Sequence, residues 1–225
     1  MRGVFVTGTD TEVGKTVLAA AITAAAVERG MTVAAFKPVV TGLDEPATAW
    51  PRDHELLAQV ANAGQSAEDV APHRYGPAVS PHLAGQLANE QLVVDELVAQ
   101  ARAEAAKADA LVVEGVGGLL VPLAPEYLVR DFAGELSLPL VIAARPGLGT
   151  ISHSLLTIEA ARAVALRIQA VVLTPWPEEP SRMERSNMET IEHFGEVPVI
   201  GLPRTEPAKL AEAGAALPVS DWLSP

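Results

Sequence analysis

The sequence predicts an α/β fold with a mostly parallel sheet and helices on both of its faces. Short apolar runs alternate along the chain with longer helical stretches, which is typical of parallel strands joined by crossover helices. Hydrophobic residues make up 49% of the 225 residues, which is ample for a closed core. Aromatic residues make up only 4%, so Ala, Val, Leu and Ile must form most of that core. Because no internal repeat or low-complexity linker interrupts the pattern, we predict one domain over residues 1–225.

The predicted strands and helices follow one another in a regular order. Residues 4–6 form the first strand, since they are a short apolar run before a Gly-containing turn. Residues 15–29 form the first helix, because this stretch is rich in Ala, lacks Pro and stops at Gly30. Residues 72–81 contain too much proline for regular structure, and a Gly-rich loop is expected after residue 113. The same signals predict strands at 32–36, 110–113, 140–143, 168–173 and 199–202, and helices at 53–63, 92–107, 152–165 and 181–194.

The charge and the composition exclude several classes of function. A net charge of −12 argues against nucleic acid or an anionic membrane as a partner, because both repel an acidic surface. The sequence contains no cysteine, which excludes disulfides, thiolate metal sites and cysteine catalysis. We find neither a targeting segment nor an apolar stretch long enough to span a membrane, so we expect a cytoplasmic protein.

The segment between the first strand and the first helix has the features of a phosphate-binding P-loop. Its backbone N–H groups can form an anion nest, and the helix N-terminus adds the positive end of its dipole. Lys15 is expected to reach the outer phosphates, and the Thr16 hydroxyl to bind Mg²⁺. Gly8 stands one residue earlier than in the common spacing, so the loop is a variant form. We therefore predict an α/β domain of the P-loop NTPase type that binds ATP and Mg²⁺, with nucleotide contacts from Gly8, Thr9, Asp10, Thr11, Glu12, Val13, Gly14, Lys15 and Thr16.

Two charged residues directly follow predicted strands, at the edge where open α/β sheets bind their ligands. Lys37 follows the second strand, where it can stabilise phosphoryl charge or a carboxylate-like substrate. Glu114 follows the third strand, where P-loop enzymes place the carboxylate that orients Mg²⁺. The glycines after Glu114 are predicted to let the backbone approach a ligand closely.

Other polar positions leave two interpretations open. Asp53 begins a predicted helix, and an Asp there is common as a purely structural cap. Residues 147–153 form a Gly-bearing loop that opens another helix, and this loop is either a second anion site or a tight turn. His82 and His153 are each more often structural than catalytic, and no cluster of His and acidic residues suggests a transition metal.

Several stretches of the sequence resemble, in the same order, the motifs of the dethiobiotin synthetases. These stretches are residues 7–16, Lys37-Pro38-Val39 with Thr41-Gly42, Ser80-Pro81-His82, residues 113–118 and residues 149–157. The resemblance extends to about Leu173, and the C-terminal third matches weakly. It implies a homodimeric, ATP-dependent cyclo-ligase that closes a cyclic urea from 7,8-diaminopelargonate (7,8-diaminononanoate) and CO₂, giving dethiobiotin, ADP and phosphate.

The resemblance also implies roles for particular residues. Lys15 and Lys37 would stabilise carbamate and phosphoryl charge with Thr11 beside them, and Thr16, Asp53 and Glu114 would hold Mg²⁺. The loop from Gly149 to His153 would bind the substrate carboxylate across the interface of a homodimer, through the helix N-terminus that follows. The substrate contacts expected from the resemblance are Glu12, Lys37, Thr41, Gly117, Gly149, Thr150, Ile151, Ser152 and Asn187.

The position that contacts the nucleotide base differs from the family pattern. After the fifth strand the family typically has an Asn, which can both donate to and accept from adenine, whereas this sequence has Thr174 and Pro175. A hydroxyl cannot make that paired contact, so we expect weak base selectivity and turnover with nucleoside triphosphates other than ATP. The same base pocket is expected to include Pro203, Arg204, Thr205 and Glu206.

Two other classes of protein share a phosphate loop of this kind. One is a related P-loop amidoligase, such as a cobyrinic acid amide synthase, which normally carries a glutaminase domain with a Cys nucleophile. The other is a partitioning-type ATPase, which usually has a second lysine early in the loop. The absence of cysteine counts against the first, and the residues Thr9, Asp10, Thr11 and Glu12 before Lys15 count against the second.

Overall fold

The architecture is built on a six-stranded parallel sheet, and the phosphate loop follows its strand β1. The structure is a computed structural model that describes residues 1–46 and 48–224. Its strands are β1 (Gly3–Gly8), β2 (Val33–Phe36), β3 (Val39–Val40), β4 (His73–Arg74), β5 (Ala110–Gly118), β6 (Pro122–Ala124), β7 (Tyr127–Leu128), β8 (Leu140–Ala144), β9 (Ile168–Trp176) and β10 (Val199–Pro203). The spatial order of the large sheet is β10-β9-β8-β1-β5-β2, and β3–β4 and β6–β7 form two small sheets.

Helices cover both faces of the large sheet, as the sequence predicts. They are α1 (Lys15–Glu28), α2 (Asp53–Val60), α3 (Ala67–Val70), α4 (Pro81–Ala88), α5 (Val94–Ala105), α6 (Val129–Leu136), α7 (Thr150–Arg162), α8 (Arg182–Gly195), α9 (Leu210–Ala215) and α10 (Val219–Trp222). One apolar core joins the sheet to α1, α2, α9 and α10. On the opposite face, one core contains α5 and α6, and another contains α7 and α8. Strands buried on both faces need continuous apolar runs, which explains the pattern in the sequence.

The Ala-rich composition of α1 has a packing reason. Nearly all of its Ala residues are buried, because α1 lies between the sheet, α2 and α9. A Cβ on Gly214 of α9 would clash with the Ala21 carbonyl oxygen, so the backbones of α1 and α9 are in direct contact. Small side chains on both helices therefore bring α1 close to its neighbours.

The edge strand β2 is protected by two side-chain amides. The Asn62 Oδ1 atom accepts a hydrogen bond from the Val33 N–H at 2.7 Å. The Gln65 side chain accepts from the Ala35 N–H and donates to the Ala35 carbonyl, both at 2.8 Å. These amides occupy backbone groups that another strand would otherwise pair with, which protects β2 against edge-to-edge association.

Some expectations about single elements were wrong. The Gly-rich stretch expected to form a loop after residue 113 continues as strand β5, because it pairs with β1 up to the Gly8–Gly118 position. A Cβ on Gly115 would lie 2.9 Å from the Phe5 ring and 3.1 Å from the Val129 side chain, so Gly115 permits packing rather than ligand approach. The stretch expected to be irregular, 72–81, contains the short strand β4, and α4 begins at its end. The helices α4 and α6 were not predicted.

Within the part of the chain that the structure describes, we find no helix of sufficient length and apolarity to cross a membrane.

Candidate active site

The carboxyl ends of β1, β2 and β5 meet at one edge of the sheet and open into a cleft of about 880 Å³. Parallel strands place their carboxyl ends at the same edge, so residues distant in sequence become neighbours there. The cleft collects most of the positions expected to perform the chemistry: Thr11, Glu12, Gly14, Lys15, Thr16, Lys37, Thr41, Asp53, Glu114 and Gly117.

The phosphate loop has the backbone geometry that an anion nest requires. Glu12 and Gly14 have φ angles of 54° and 87°, and α1 begins directly afterwards at Lys15. Glycine suits position 14 for a second reason, since a Cβ there would lie 2.7 Å from the Cγ2 atom of Thr174. The Lys15 Nζ atom donates to the Asp10 carbonyl oxygen at 2.7 Å and so closes the loop on itself. Burial lowers the pKa of Lys15 to about 8, because the uncompensated ammonium loses hydration.

The floor of the cleft is a cluster of one lysine, two carboxylates and one hydroxyl. The Lys37 Nζ atom lies 2.5 Å from Glu114 Oε1 and 3.0 Å from Asp53 Oδ2. The Thr16 hydroxyl donates to the same Glu114 Oε1 atom at 2.9 Å. The Lys37 and Glu114 side chains are only 5% and 1% exposed, whereas that of Asp53 is 45% exposed. The lysine ammonium therefore bridges a buried and a partly exposed carboxylate.

The pKa values in this cluster follow from burial and charge together. Burial acts to lower the pKa of Lys37, but Asp53 and Glu114 outweigh burial and hold that pKa above its ordinary value. Burial acts to raise the pKa of Asp53, but the Lys37 ammonium outweighs it and keeps that carboxylate ionised. Burial raises the pKa of Glu114 even though Lys37 opposes the shift. An ammonium this strongly held keeps its charge at any physiological pH.

The residues present fit a Mg²⁺ site that is completed by phosphates. Glu114 Oε2 is buried and has no hydrogen-bond partner among the residues that the structure describes. Thr16, Asp53 and Glu114 offer only oxygen ligands, which Mg²⁺ prefers. The described residues contain no group of three or more His, Asp or Glu side chains placed to hold a metal. A set of two carboxylates and one hydroxyl instead suits Mg²⁺, which is commonly bound by one or two carboxylates together with substrate phosphates.

Two arginines at the cleft were missed from the sequence. The Arg52 guanidinium donates to the carbonyls of Gly42 at 3.2 Å and Leu43 at 3.1 Å, and also to that of Glu45. Arg52 thus ties the segment after Thr41 to the start of α2. The Arg145 guanidinium donates to the Thr11 carbonyl at 3.0 Å and lies 3.8 Å from the Asp10 carboxylate. Because Arg145 follows the end of β8, the same strand-end reasoning that found Lys37 could have found it.

The loop before α7 lies outside the cleft of the single chain. α7 begins at Thr150, two residues before the predicted start at 152, and the Thr150 side chain is buried. The Asn187 amide is also buried and donates to the carbonyls of Pro146 at 3.0 Å and Gly147 at 3.3 Å. These hydrogen bonds support the loop before α7, and the expected contact of Asn187 with substrate stays a prediction. The remaining positions expected for substrate binding here are Ile151 and Ser152, in the first turn of α7.

The positions expected to contact the nucleotide base differ in exposure, since one is buried and the others lie at the surface. Thr174 is buried, with its methyl group against Gly14 of the phosphate loop, so its side chain supports that loop from behind. Pro175 is exposed at the end of β9. Pro203, Arg204 and Glu206 are exposed at and after the end of the neighbouring strand β10, with Thr205 partly buried among them.

A phosphate loop between a central parallel strand and a helix, with Lys37 after β2, Glu114 within β5 and Asp53 at the start of α2, defines a nucleotide-binding enzyme of the P-loop class. The family model described as "AAA domain" matches residues 2–207. The ATP-dependent dethiobiotin synthetase of Bacillus subtilis strain 168 is 35% identical, over 90% of this chain and 87% of its own length. The corresponding enzyme of Anaeromyxobacter dehalogenans is 40% identical, over 77% of this chain and 76% of its own length. The chain therefore belongs to the dethiobiotin synthetase family, whose members are ATP-dependent ligases that form carbon–nitrogen bonds.

More distant solved structures share the fold alone. A ParA family ATPase from Chlorobium tepidum has a TM-score of 0.58 and 13% identity, covering 98% of this chain and 92% of that one. The MinC:MinD cell division complex of Aquifex aeolicus gives a TM-score of 0.56 at 12% identity, covering 95% of this chain and 86% of that one. Identities this low support the shared α/β architecture, and they do not indicate the activity of this chain.

Proposed function

We propose that this chain closes the ureido ring of dethiobiotin in the cleft at the ends of β1, β2 and β5, using ATP, CO₂ and 7,8-diaminopelargonate. Membership of the family supports the reaction. The observation that carries the assignment of the site is the buried Lys37 ammonium beside the phosphate loop, held by Asp53 and Glu114. No step of this reaction needs a covalent nucleophile, and positioning with charge neutralisation is most of what phosphoryl transfer requires.

The first step is carbamate formation at one amine of the substrate. The amine nitrogen attacks the carbon of CO₂, a C–N bond forms, and the nitrogen loses a proton. Thr11, Glu12 and Thr41 line the same cleft and would orient the diamine there. The fixed positive charge of Lys37 would favour the carbamate anion over the neutral amine and CO₂.

The second step is transfer of the γ-phosphoryl group to the carbamate. A carbamate oxygen attacks the γ-phosphorus, and the bond to the ADP oxygen breaks. Lys15 and the backbone N–H groups of the loop would bind the phosphates, while Lys37 would neutralise charge where carbamate and phosphate meet. Mg²⁺ held by Thr16, Asp53 and Glu114 would neutralise further phosphate charge when bound.

The third step closes the ring. The second amine attacks the carbonyl carbon of the carbamic–phosphoric anhydride, phosphate leaves, and the nitrogen loses a proton. The cleft would hold this amine close to the carbon, since proximity supplies most of the acceleration of an intramolecular attack.

A homodimer would complete the substrate site. The first turn of α7, from Gly149 to Ser152, lies outside the cleft of its own chain, and its helix N-terminus suits a carboxylate. The neighbouring Leu148 is 93% exposed, and Leu120 and Leu156 are exposed as well. These exposed leucines lie near the N-terminus of α7, and an exposed apolar patch at this place supports a contact between two copies of the chain. Because the reaction consumes ATP, we place it in the cytoplasm.

The decisive experiment is an assay of phosphate release with ATP, Mg²⁺, bicarbonate and the diamine, with mass spectrometry of the product. We expect release to require both diamine and bicarbonate, and the product mass to match dethiobiotin. Phosphate release that continues at the same rate without the diamine would instead support a partitioning-type ATPase.

A further inference from the structure

The Lys37 ammonium lies between the two carboxylates that are proposed to bind Mg²⁺. Its Nζ atom is 2.5 Å from Glu114 Oε1 and 3.0 Å from Asp53 Oδ2. Glu114 Oε1 also accepts the Thr16 hydroxyl, so this oxygen already has two donors. The Lys37 side chain is only 5% exposed, so its charge is compensated mainly by these carboxylates and only slightly by solvent.

We propose that Lys37 competes with Mg²⁺ for Asp53 and Glu114, and that a divalent ion binds them only after nucleotide phosphates draw the ammonium away. This inference rests on the metal site of the proposed function. An ion bound to the same two oxygens at about 2.0–2.1 Å would stand within roughly 5 Å of the ammonium. In a buried site of low dielectric, two cations at that separation repel each other strongly.

The surroundings of Lys37 provide a place for the ammonium to move. Lys15 and the N-terminus of α1 line the same cleft and are the proposed phosphate site. Lys15 is close enough to Lys37 for their mutual repulsion to lower the pKa of Lys15. A triphosphate placed there adds negative charge that attracts Lys37 away from the carboxylates. Glu114 Oε2, which has no partner among the described residues, is then available to the arriving ion.

The competition has a consequence for the order of events. Metal ion alone would bind weakly, because Lys37 already neutralises the pair. Metal carried by the nucleotide would bind well, because the phosphates supply new partners for Lys37. The same movement would bring the Lys37 charge toward the phosphates only when both nucleotide and metal are present.

The test is direct metal binding without nucleotide or diamine, measured by Mn²⁺ electron paramagnetic resonance. Because burial raises the pKa of Glu114, the measurement is made at about pH 8 to favour the ionised carboxylates. There Lys37→Met should bind Mn²⁺ about tenfold or more tightly than the unaltered protein. The matched control is Lys107→Met, which removes the same charge from an ion pair with Glu104 on α5, and it should leave Mn²⁺ affinity unchanged. Equal Mn²⁺ affinity of Lys37→Met and the unaltered protein would overturn the proposal.

A second measurement covers the case that Lys37→Met does not fold. In a crystal structure of the unaltered protein with Mn²⁺ and ADP, the Lys37 Nζ atom should lie more than about 4 Å from both carboxylates, beyond ion-pair distance. An ammonium still bridging both carboxylates with the ion bound would contradict the competition. Neither measurement contains the diamine. If both succeed while phosphate release does not depend on the diamine, the proposed function is wrong and the competition stands.

Discussion

Lys37 is held by two opposite charges at once, and this explains why a buried ammonium can persist in the resting enzyme. Asp53 and Glu114 lie within 3.0 Å of it, whereas among the described residues the Lys15 ammonium makes one hydrogen bond, to the Asp10 carbonyl. The opposite pKa shifts of the two lysines follow from this difference, since burial alone lowers an ammonium pKa and paired carboxylates raise it.

Replacing Lys37 tests its role in catalysis. Lys37→Ala should reduce kcat by roughly 10²–10³-fold, because one preorganised charge is lost at the transferring group. Circular dichroism should show that the variant still folds, since the side chain belongs to the ligand edge of the sheet. Turnover close to normal in the folded variant would show that Lys37 is not part of the reaction.

Asp53 and Glu55 are neighbouring acids at the start of α2 with different partners. Asp53 contacts Lys37, whereas the Glu55 carboxylate accepts the Arg52 backbone N–H at 3.0 Å and caps the helix. Asp53→Ala should therefore raise the Mg²⁺ concentration needed for half-maximal activity, since it removes a proposed ligand.

Glu55→Ala is the matched control for that titration. It should lower stability by about 0.5–2 kcal/mol, as the loss of a helix cap does, and leave the Mg²⁺ dependence unchanged. Identical Mg²⁺ titrations for Asp53→Ala and the unaltered enzyme would return Asp53 to a structural role.

At the scale of single elements, the edge strand β2 depends on residues outside any strand. Gln65 makes two hydrogen bonds to Ala35 and a further one to Glu104 at 2.9 Å. Gln65→Ala should lower the free energy of unfolding by about 1–3 kcal/mol, because its two bonds to Ala35 contribute about 0.5–1.5 kcal/mol each. Urea denaturation measures the change, and Gln91→Ala, at an exposed position, should be neutral. An unchanged unfolding midpoint for Gln65→Ala would mean that water replaces the side-chain amide without any loss of stability.

At the scale of the whole molecule, the nucleotide site has Thr174 where an Asn is expected to contact the base. Thr174 is turned toward Gly14, and the contacts proposed for the phosphate loop are with phosphates, which all nucleoside triphosphates share. Losing a bidentate base contact removes about 1–3 kcal/mol of discrimination, so GTP, CTP and UTP should bind within about a hundredfold of ATP. Competition binding of the four triphosphates measures this ratio. A preference for ATP of several thousandfold would show that exposed groups around Pro203–Glu206 read the base.

The proposed dimer makes a prediction about one exposed side chain. Leu148→Lys should shift the protein toward monomer in sedimentation velocity and reduce activity, because a charge would be buried in the contact. Phe194→Lys is the control: Phe194 is 67% exposed at the C-terminal end of α8, which lies at the opposite edge of the sheet from the carboxyl ends of the strands. A fully active monomer at assay concentration would rule out a shared substrate site.

The sequence by itself determined the parts of this protein that are encoded locally. The phosphate loop and Lys37 each follow a buried apolar strand, and Glu114 follows the apolar run 110–113 within β5, so each pattern can be read within ten or so residues. The parallel sheet was predictable for the same reason, since alternation of strands and helices is a local pattern. The position of Asp53 alone could not distinguish a helix cap from a metal ligand, and the resemblance to a family favoured the metal ligand.

Only the tertiary structure decided which distant groups share an environment. Lys37 and Glu114 are 77 residues apart and meet because β2 and β5 are neighbouring strands in register. Thr174 supports the phosphate loop and Asn187 supports the loop before α7 because of how β9 and α8 pack, and neither contact leaves a mark in the local sequence. Side-chain direction and strand order depend on packing over the whole core, whereas a loop that binds phosphate with its own backbone carries its chemistry in consecutive residues.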